Sequence, residues 1–513
     1  MANEPQNDSP RSDTDVEQQP PPKEQKPTGQ EKTIAEDEAP PTPDPNIVDF
    51  DGPNDPENPL NWTTTRKATS IVIVSLTALL STSNSPIGST ISAAAAPEIM
   101  IYFKTTDEAL AALMTTIYLF GYAFGPLAIA PLSELYGKAP VFRVCAALFV
   151  VFNAACALAN SLGSLIAFRL LAGIAGSCPG TLGGGSIADM IPRERRGAVM
   201  SAYIMGPVLG PTIGPIVGGY LTPAAGWRWG FWLMTISSGV MAVFIFLFMR
   251  ESYAYAILKN KTAKLRKQTG NQNLRSKLDT GKNPRELFRL AIFRPLKMLA
   301  SPTVFLVSGY AATVFSYAYL CFTTFPRVFR DQYDFGSGAS GLATIGLGIG
   351  FVAGLLFCGA VSDPWSARLA KTKNGGVAKP EYRLPTLVSG AIFVPIGLFW
   401  YGWSAEARTH WIMPIIGTGL LGIGIVTAYS TAATYLVDAY PVYAASVMAA
   451  SALFRCLIGA LLPLAGGAMF DALGVGWGNS LLGFISIAFL PLSLVLYVYG
   501  ERIRGSRLLK MEL

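Results

Sequence analysis

The sequence is poor in charge and almost lacks histidine. Charged residues make up 14% of its 513 positions, whereas a soluble domain carries about 25%. The one histidine, His410, stands alone, and there is no Ser–His–Asp arrangement or phosphate-binding loop. The six cysteines are spaced neither as metal ligands nor as a disulfide framework. We therefore expect no enzyme, no metal and no cofactor.

The charges that are present are crowded into a few segments. The net charge of +7 could suggest a nucleic-acid partner, but the basic residues lie between apolar stretches and form no single soluble face. About 20 apolar residues cross a bilayer as a helix, and the stretches here are about that long or longer. The sequence therefore predicts an all-α membrane protein surrounded by the lipid bilayer, with no nucleic-acid partner.

Twelve transmembrane helices are predicted from the hydropathy pattern. Glycine and proline within 163–187 and 411–437 predict that these two helices bend or tilt. The approximate bounds are 68–92, 109–131, 141–159, 163–187, 198–221, 229–249, 303–325, 340–361, 385–403, 411–437, 445–468 and 478–499.

The lysines and arginines between the spans are distributed unequally. On alternate connections, 29 lie on one side of the membrane and five on the other. The positive-inside rule places the side with 29 in the cytosol. We therefore expect 1–60 to be a disordered cytosolic tail, 61–249 and 303–500 to be six-helix bundles, 250–302 to be a cytosolic linker, and 501–513 to be a short cytosolic tail.

The two halves of the chain repeat each other. The segments from Ala198 and from Ser446 share a Val-Met pair and a proline three residues before a Gly-Gly pair, at a constant offset of 248. Such repeats are typical of transporters, in which the substrate site lies between the halves. Two fused channel subunits would also repeat, but no connection contains a selectivity-filter loop.

The fifth span has a face of small residues. Glycines recur at every fourth position from Gly206 to Gly218 and so lie on one side of the helix, with prolines beside them. Such a face lets membrane helices approach closely, and the prolines bend the helix. The face serves either tight packing alone or a sealed, bent seam between the halves.

Two arginines lie deep in the spans, and no span has a central carboxylate. Because a lone charge in hydrocarbon is costly, Arg169 and Arg455 should each face a wet cavity, a partner or helix carbonyls. We predict that both take part in proton coupling, with Asp189 at a helix end. The lack of central carboxylates disfavours polyamines as substrates. Other carboxylates that could carry the proton are Glu98, Asp107, Glu108 and Asp438.

Several segments carry a resemblance to a known family. They are Asp55–Trp62 before the first span, the loop 131–143, the run 169–176, the glycine and proline series 206–219, and residues 251–258. These segments are similar to motifs of the major facilitator superfamily, and most of all to those of fungal twelve-span drug:proton antiporters. The resemblance implies the major facilitator fold, with two pseudo-symmetric six-helix bundles.

The resemblance also implies roles for particular residues. It places an antiporter motif in the fifth span, a cytosolic gate after the second, and a substrate cavity between helices one, four, seven and ten. The antiporter-motif residues are Gly206, Pro207, Gly210, Pro211, Gly214, Pro215, Gly218 and Gly219; the gate residues are Glu134, Gly137, Lys138, Arg143 and Asp363; the cavity residues are Asn84, Tyr310, Phe315, Tyr317 and Tyr429.

Together these features predict a secondary active transporter. We expect a monomer that exports small lipophilic xenobiotics, drugs or secondary metabolites by proton antiport and alternating access. The expected location is the plasma membrane, with the vacuolar membrane as the alternative. A proton-coupled uptake symporter, a polyamine exporter and a non-transporting sensor on the same fold are the other functions considered.

Overall fold

The computed structural model describes residues 46–103, 108–278, 284–373, 375, 379–440 and 443–505. Some side chains within helices, those of Asn84 and Asp363 among them, lie outside the described set. The described α-helices are α1 (Thr64–Phe103), α2 (Glu108–Tyr136), α3 (Lys138–Ala157), α4 (Leu162–Gly176), α5 (Cys178–Met190), α6 (Arg193–Ala225), α7 (Trp227–Phe248), α8 (Ala254–Thr269), α9 (Pro284–Leu299), α10 (Pro302–Tyr333), α11 (Ser337–Leu342), α12 (Ile345–Lys373), α13 (Leu384–Glu406), α14 (Ile412–Ala439), α15 (Ala444–Ala488) and α16 (Leu490–Gly505).

Most of these helices are long and apolar, as the hydropathy pattern predicts. Within the described residues, ten helical stretches are long and apolar enough to cross a membrane, and one of them, Ser446–Gly500, holds two predicted spans. The first predicted span lies in α1. The predicted all-α membrane fold with twelve spanning helices is therefore confirmed.

Two helix breaks have a clear cause in the sequence. The fourth predicted span divides at Ser177 into α4 and α5, and Pro179 in the first turn of α5 has no N–H to continue the helix. The helix α15 turns at Gly474, whose φ of 76° favours glycine. Glu406 accepts hydrogen bonds from the next two backbone N–H groups. The predicted bend in 411–437 does not interrupt α14, which is continuous.

The helices form two bundles that correspond to the two halves of the chain. In the first bundle, α1 packs against α6, α2 against α4, and α3 against α7. In the second, α12 and α13 pack against α14, and α10 packs against α15. Lipid is as apolar as these side chains, so close packing is the main force that holds membrane helices together. The second bundle has one large buried core, and the first has several smaller ones.

The segment before α1 is ordered against the linker. Strand β1 (Ile47–Val48) pairs in parallel with strand β2 (Arg275–Ser276), which follows α8. Residues 46–60 therefore differ from the expected disordered tail, and residues 1–45 lie outside the described part. The composition of the tail did not reveal this order because its polar groups find partners in the linker, more than 200 residues away.

Hydrogen bonds within the segment explain the sequence signature Asp55–Trp62. Asp55 is only 5% exposed, and its carboxylate accepts hydrogen bonds of 2.8 Å from the backbone N–H groups of Asp51 and Glu57. These donors hold the pKa of Asp55 below its usual range. Lys261 of α8 lies 3.6 Å from the same carboxylate and 2.7 Å from that of Asp51. The signature thus fastens the chain to the linker helix.

We call the end of the molecule that holds α8 and α9 the linker end, and the opposite end the distal end. The helices α6 and α10 run from the linker end to the distal end, and α2 and α12 run back. The linker helix α9 packs against both α2 and α15. It therefore contacts both bundles at the linker end.

Candidate functional site

Arg169 is enclosed by helices of the first bundle. Its side chain is 2% exposed, and its guanidinium carbon lies 5.9 Å from the ring centroid of Tyr118 and 5.6 Å from that of Phe231. Its Nε and Nη2 atoms have no hydrogen-bond partner among the described residues. Cation–π contact is favourable when water is excluded, so two rings from α2 and α7 take the place of a carboxylate.

Arg455 has different surroundings, at the meeting place of the two bundles. Its guanidinium carbon lies 4.7 Å from the ring centroid of Phe315 and 4.9 Å from that of Tyr429. Its charge is also within electrostatic range of the hydroxyls of Tyr319 and Tyr122, the latter on α2 of the first bundle. We call Arg455, Phe315, Tyr429, Tyr319 and Tyr122 the central cluster. The predicted site residues Arg455, Phe315 and Tyr429 are therefore brought together.

The accessible surface of the aromatic residues separates two groups. All five members of the central cluster are half-buried, although they lie deep among helices. Tyr310 and Tyr317 are each 1% exposed, and the Tyr317 hydroxyl donates a hydrogen bond of 3.1 Å to the carbonyl of Leu482. Tyr310 and Tyr317, predicted for the cavity, thus lie in the core of the second bundle, whereas the members of the central cluster keep accessible surface.

A cavity lies inside the first bundle. Its lining is mostly apolar and includes Phe149, Cys178 and Met241. At its edge the Tyr118 hydroxyl donates a hydrogen bond of 2.7 Å to the carbonyl of Ser81. This space belongs to one bundle, so it is not the cavity expected between the halves.

The small-residue face of α6 has two different neighbours along its length. Toward the linker end it packs against α1, because a Cβ on Gly206 would lie 2.8 Å from the carbonyl oxygen of Ser75. A Cβ on Gly210 would lie 2.9 Å from the carbonyl oxygen of Leu79. These glycines therefore serve close packing within the first bundle. The other motif residues lie along the same helix, and they are Pro207, Pro211, Gly214, Pro215 and Gly218.

Toward the distal end, α6 meets the second bundle along what we call the distal seam. A Cβ on Gly219 would lie 2.5 Å from the carbonyl oxygen of Ser337 on α11. A Cβ on Gly341 would lie equally close to the backbone of α6. The hydroxyl of Thr344 lies 3.3 Å from the carbonyl oxygen of Thr212 and donates to it. Glycine is needed here because the two backbones approach to contact distance.

The bundles also meet nearer the linker end, along what we call the linker seam. Ala123 of α2 packs with Leu453 and Cys456 of α15, and Leu299 at the end of α9 packs against them. The side chains at this seam are apolar, and Tyr122 of the central cluster borders it. The linker seam thus borders the central cluster and extends through Leu299 to α9 at the linker end, and the distal seam lies toward the opposite end.

The loop between α2 and α3 is held by a residue distant in sequence. Gly137 has a φ of 95° and no side chain to cap α3. The Glu251 carboxylate takes that role, accepting hydrogen bonds of 3.0 Å from the backbone N–H groups of Lys138 and Ala139. A carboxylate at a helix N-terminus is favourable because four N–H groups there lack partners. A Cβ on Gly137 would collide with this carboxylate.

An ion pair at the linker end recurs in both halves. Lys138 at the start of α3 lies 2.6 Å from Asp189 near the end of α5, and Ser252 donates to the same carboxylate. In the second bundle, Arg383 before α13 lies 2.5 Å from Asp438 near the end of α14. The two pairs occupy equivalent positions and extend the internal repeat beyond the glycine motifs.

The remaining predicted gate residues are not gathered at one point. Arg143 donates a hydrogen bond of 2.8 Å to the carbonyl of Met249 at the end of α7. Glu134 is exposed and lies within electrostatic range of Arg294 of α9 and of Lys138. The predictions for Asp363 and Asn84 concern side chains outside the described set.

Sequence reasoning did not assign several residues that the structure places at these sites. Glu251 belongs to one of the segments that carry the family resemblance, and its separation from Gly137 along the sequence gives no sign of contact. Tyr122 is one of many span aromatics, and only the fold places it beside Arg455. One usable signal for Tyr122 is the glycine that faces it. Gly180 of α5 leaves room for the Tyr122 hydroxyl, with which a Cβ at that position would collide.

Comparison with known proteins identifies the family. A family model described as the Major Facilitator Superfamily matches residues 77–463, and the chain belongs to this superfamily. The structure of the proton:xylose symporter XylE with bound 6-bromo-6-deoxy-D-glucose has a TM-score of 0.61 at 14% identity, covering 85% of this chain and 96% of that one. This likeness shows the fold.

The curated relatives are fungal transporters that match most of the chain. The MFS-type transporter penM of Penicillium rubens is 54% identical, covering 90% of both chains. The MFS-type transporter atr4 of Stereocaulon alpinum is 51% identical, covering 90% of this chain and 83% of its own. The efflux pump radE of Floropilus chiversii is 42% identical, covering 90% and 85%. The protein is therefore a secondary membrane transporter of the fungal branch, and it is not an enzyme.

Proposed function

We propose that this protein exports small lipophilic xenobiotics or secondary metabolites in exchange for protons. The observation that carries the proposal is the placement of the half-buried central cluster where the two bundles meet, beside the linker seam and with the distal seam toward the other end of the molecule. Opening the linker seam exposes the cluster to one side of the membrane, and opening the distal seam exposes it to the other. Such alternation moves a bound compound across without a continuous pore.

Two further features support the proposed direction of transport. The glycine and proline series of α6 resembles the antiporter motif, and the relative radE is named an efflux pump. The excess of basic residues at the linker end favours a cytosolic location for that end. We propose that the compound enters from the cytosol through the linker seam and leaves through the distal seam, across the plasma membrane.

Proton coupling is assigned to Arg169 together with Asp189. Arg169 is a buried cation without a carboxylate among the described residues, so its interactions respond to small rearrangements of α2 and α7. Asp189 is held by Lys138 and Ser252 at the linker end. Protonation of Asp189 would remove the charge that holds Lys138, and this change would loosen α3 from α5.

The test uses inside-out membrane vesicles, in which the cytosolic side faces the medium. With an acidic lumen, an antiporter should accumulate the neutral fluorescent compound N-phenyl-1-naphthylamine inside, and a protonophore should abolish the accumulation. Vesicles without the protein serve as the control. Movement of the compound out of the acidic lumen would instead indicate proton symport and would refute export.

A further inference from the structure

We propose that the central cluster binds the acidic group of an anionic aromatic substrate, with Arg455 as the anion-binding residue. This inference rests on the proposed transport function and names its substrate class. A substrate of this kind carries a carboxylate or a comparable acid on a flat, lipophilic ring system. The chemistry is that of a guanidinium paired with an anion between two aromatic surfaces.

The first argument is the charge balance around Arg455. In the described part of the chain, no acidic side chain forms an ion pair with it, and its buried Nε has no hydrogen-bond partner. Arg455 lies eleven residues into α15, about 17 Å along the helix from its start and so about midway through a hydrocarbon layer of roughly 30 Å. A cation held at that depth is costly unless an anion or a wet cavity compensates it.

The second argument is the shape of the surroundings. The guanidinium carbon of Arg455 lies over the rings of Phe315 and Tyr429, within 5 Å of each ring centroid. The two ring centroids are 5.5 Å apart. These two rings cover part of the guanidinium plane, and the half-buried side chain keeps accessible surface for a ligand. The planar five-donor fork of arginine matches a carboxylate in two-point contact. The same rings offer stacking surface to an aromatic substrate.

The third argument is the contrast with Arg169. Arg169 is 2% exposed and closed in by its own bundle, so it has no room for a ligand. Arg455 lies where both bundles meet, because it contacts the Tyr429 ring of the second bundle and its charge is within electrostatic range of Tyr122 of the first. A group bound to it would therefore touch both halves, as a substrate in alternating access must.

The test compares naphthalene-2-carboxylate with its neutral isostere naphthalene-2-carboxamide by equilibrium binding to the purified full chain in lipid nanodiscs. The wild-type protein should bind the acid about tenfold or more tightly than the amide, as expected for charge-assisted hydrogen bonds. In R455Q the preference should fall to about twofold or less. R455K should fall between the two, because lysine keeps the charge but lacks the fork. The matched control is R327Q, which removes an exposed arginine paired with Asp471 and should keep the preference.

Amide binding serves as the internal check that a variant is folded. If R455Q does not fold, competition on the wild-type protein replaces it as the test. Naphthalene-2-sulfonate should displace the bound carboxylate far better than the carboxamide does. A wild-type preference below twofold, or an unchanged preference in R455Q, would overturn the proposal. If the acid preference is present and the vesicles fail to accumulate N-phenyl-1-naphthylamine, anion binding stands and export of neutral compounds is wrong.

Discussion

The contact between Gly219 and Ser337 offers a direct test of the distal seam. A Cβ on Gly219 would lie 2.5 Å from the Ser337 carbonyl oxygen, and ordinary contact begins at 3.4 Å. Gly219→Ala therefore requires the seam to open by about 0.9 Å. The obstacle is backbone and cannot rotate away, so the cost should be that of overpacking, about 1–3 kcal/mol. That cost shifts the balance between the closed and the open seam by about 5- to 150-fold.

The internal repeat supplies a matched control for this substitution. Gly467 is the counterpart of Gly219 at the offset of 248, and nothing lies within 4 Å of a Cβ built on it. Gly467→Ala should leave the distal seam unchanged. It should also raise helix stability by up to about 1 kcal/mol, because alanine favours the helix over glycine.

The assay reads the opening of the seam by cysteine labelling. Thr344→Cys places a thiol in the seam at a position that is 1% exposed, and the six native cysteines are buried. On this background, Gly219→Ala should speed reaction with a water-soluble maleimide by about 5- to 150-fold, in proportion to the open population. Proton-driven accumulation in vesicles should slow in the same variant. Equal labelling rates in Gly219→Ala and Gly467→Ala would refute the contact at the distal seam.

Three further outcomes are expected. Gly210→Leu should abolish transport in protein that still reaches the membrane, because even its Cβ would lie 2.9 Å from the Leu79 carbonyl oxygen. The control is Gly239→Leu, whose Cβ meets no atom within 4 Å and which should transport normally. Normal transport by Gly210→Leu would contradict the packing of α6 on α1. Arg169→Ala should lose uphill transport in the vesicle assay and retain binding of naphthalene-2-carboxamide. Arg169→Lys should not restore full coupling, because lysine lacks the five-donor fork. Gradient-dependent transport at the wild-type rate in Arg169→Ala would show that the residue has a structural role only. Backbone donors lower the pKa of Asp55 below its ordinary value of 3.8. The stability that the Asp55 carboxylate gives to the segment before α1 is therefore fully present above pH 3.8, and it is lost as the pH falls through the lowered pKa. The amide protection factors of that segment, which are corrected for the intrinsic pH dependence of exchange, should therefore fall in acid in the wild-type protein. Asp55→Asn should flatten this dependence, and the same acid response in both proteins would exclude the carboxylate.

The spans and the repeat were predictable from the sequence because both depend on local pattern. Runs of apolar residues fix the helices whatever the fold around them, and the offset of 248 holds for Pro215 and Pro463 as well as for the Gly-Gly pairs. Arg455 could be identified because a cation in an apolar span is costly wherever it points. In each case the signal lies in the residue and its neighbours along the chain.

The contacts between distant segments were not predictable in the same way. The pattern showed that Gly206 and Gly210 share a face, but not that the face packs against α1 while Gly219 meets α11. Tyr310 and Phe315 are five residues apart on α10, and a helix of 3.6 residues per turn directs them differently. One is buried in the core and the other borders the central cluster. Choosing between them needs the position of α14 and α15, which the sequence of α10 does not contain.

The pairing of β1 with β2 has a mechanical consequence. It joins the chain just before α1 to the chain just after α8, through backbone hydrogen bonds from Arg275 to Asn46 and from Lys277 to Val48. The chain segment that forms the first bundle therefore has its two ends joined by these hydrogen bonds. Separating the two ends of this chain segment at the linker end would break these two hydrogen bonds, so the pairing adds to the contacts that hold the first bundle together.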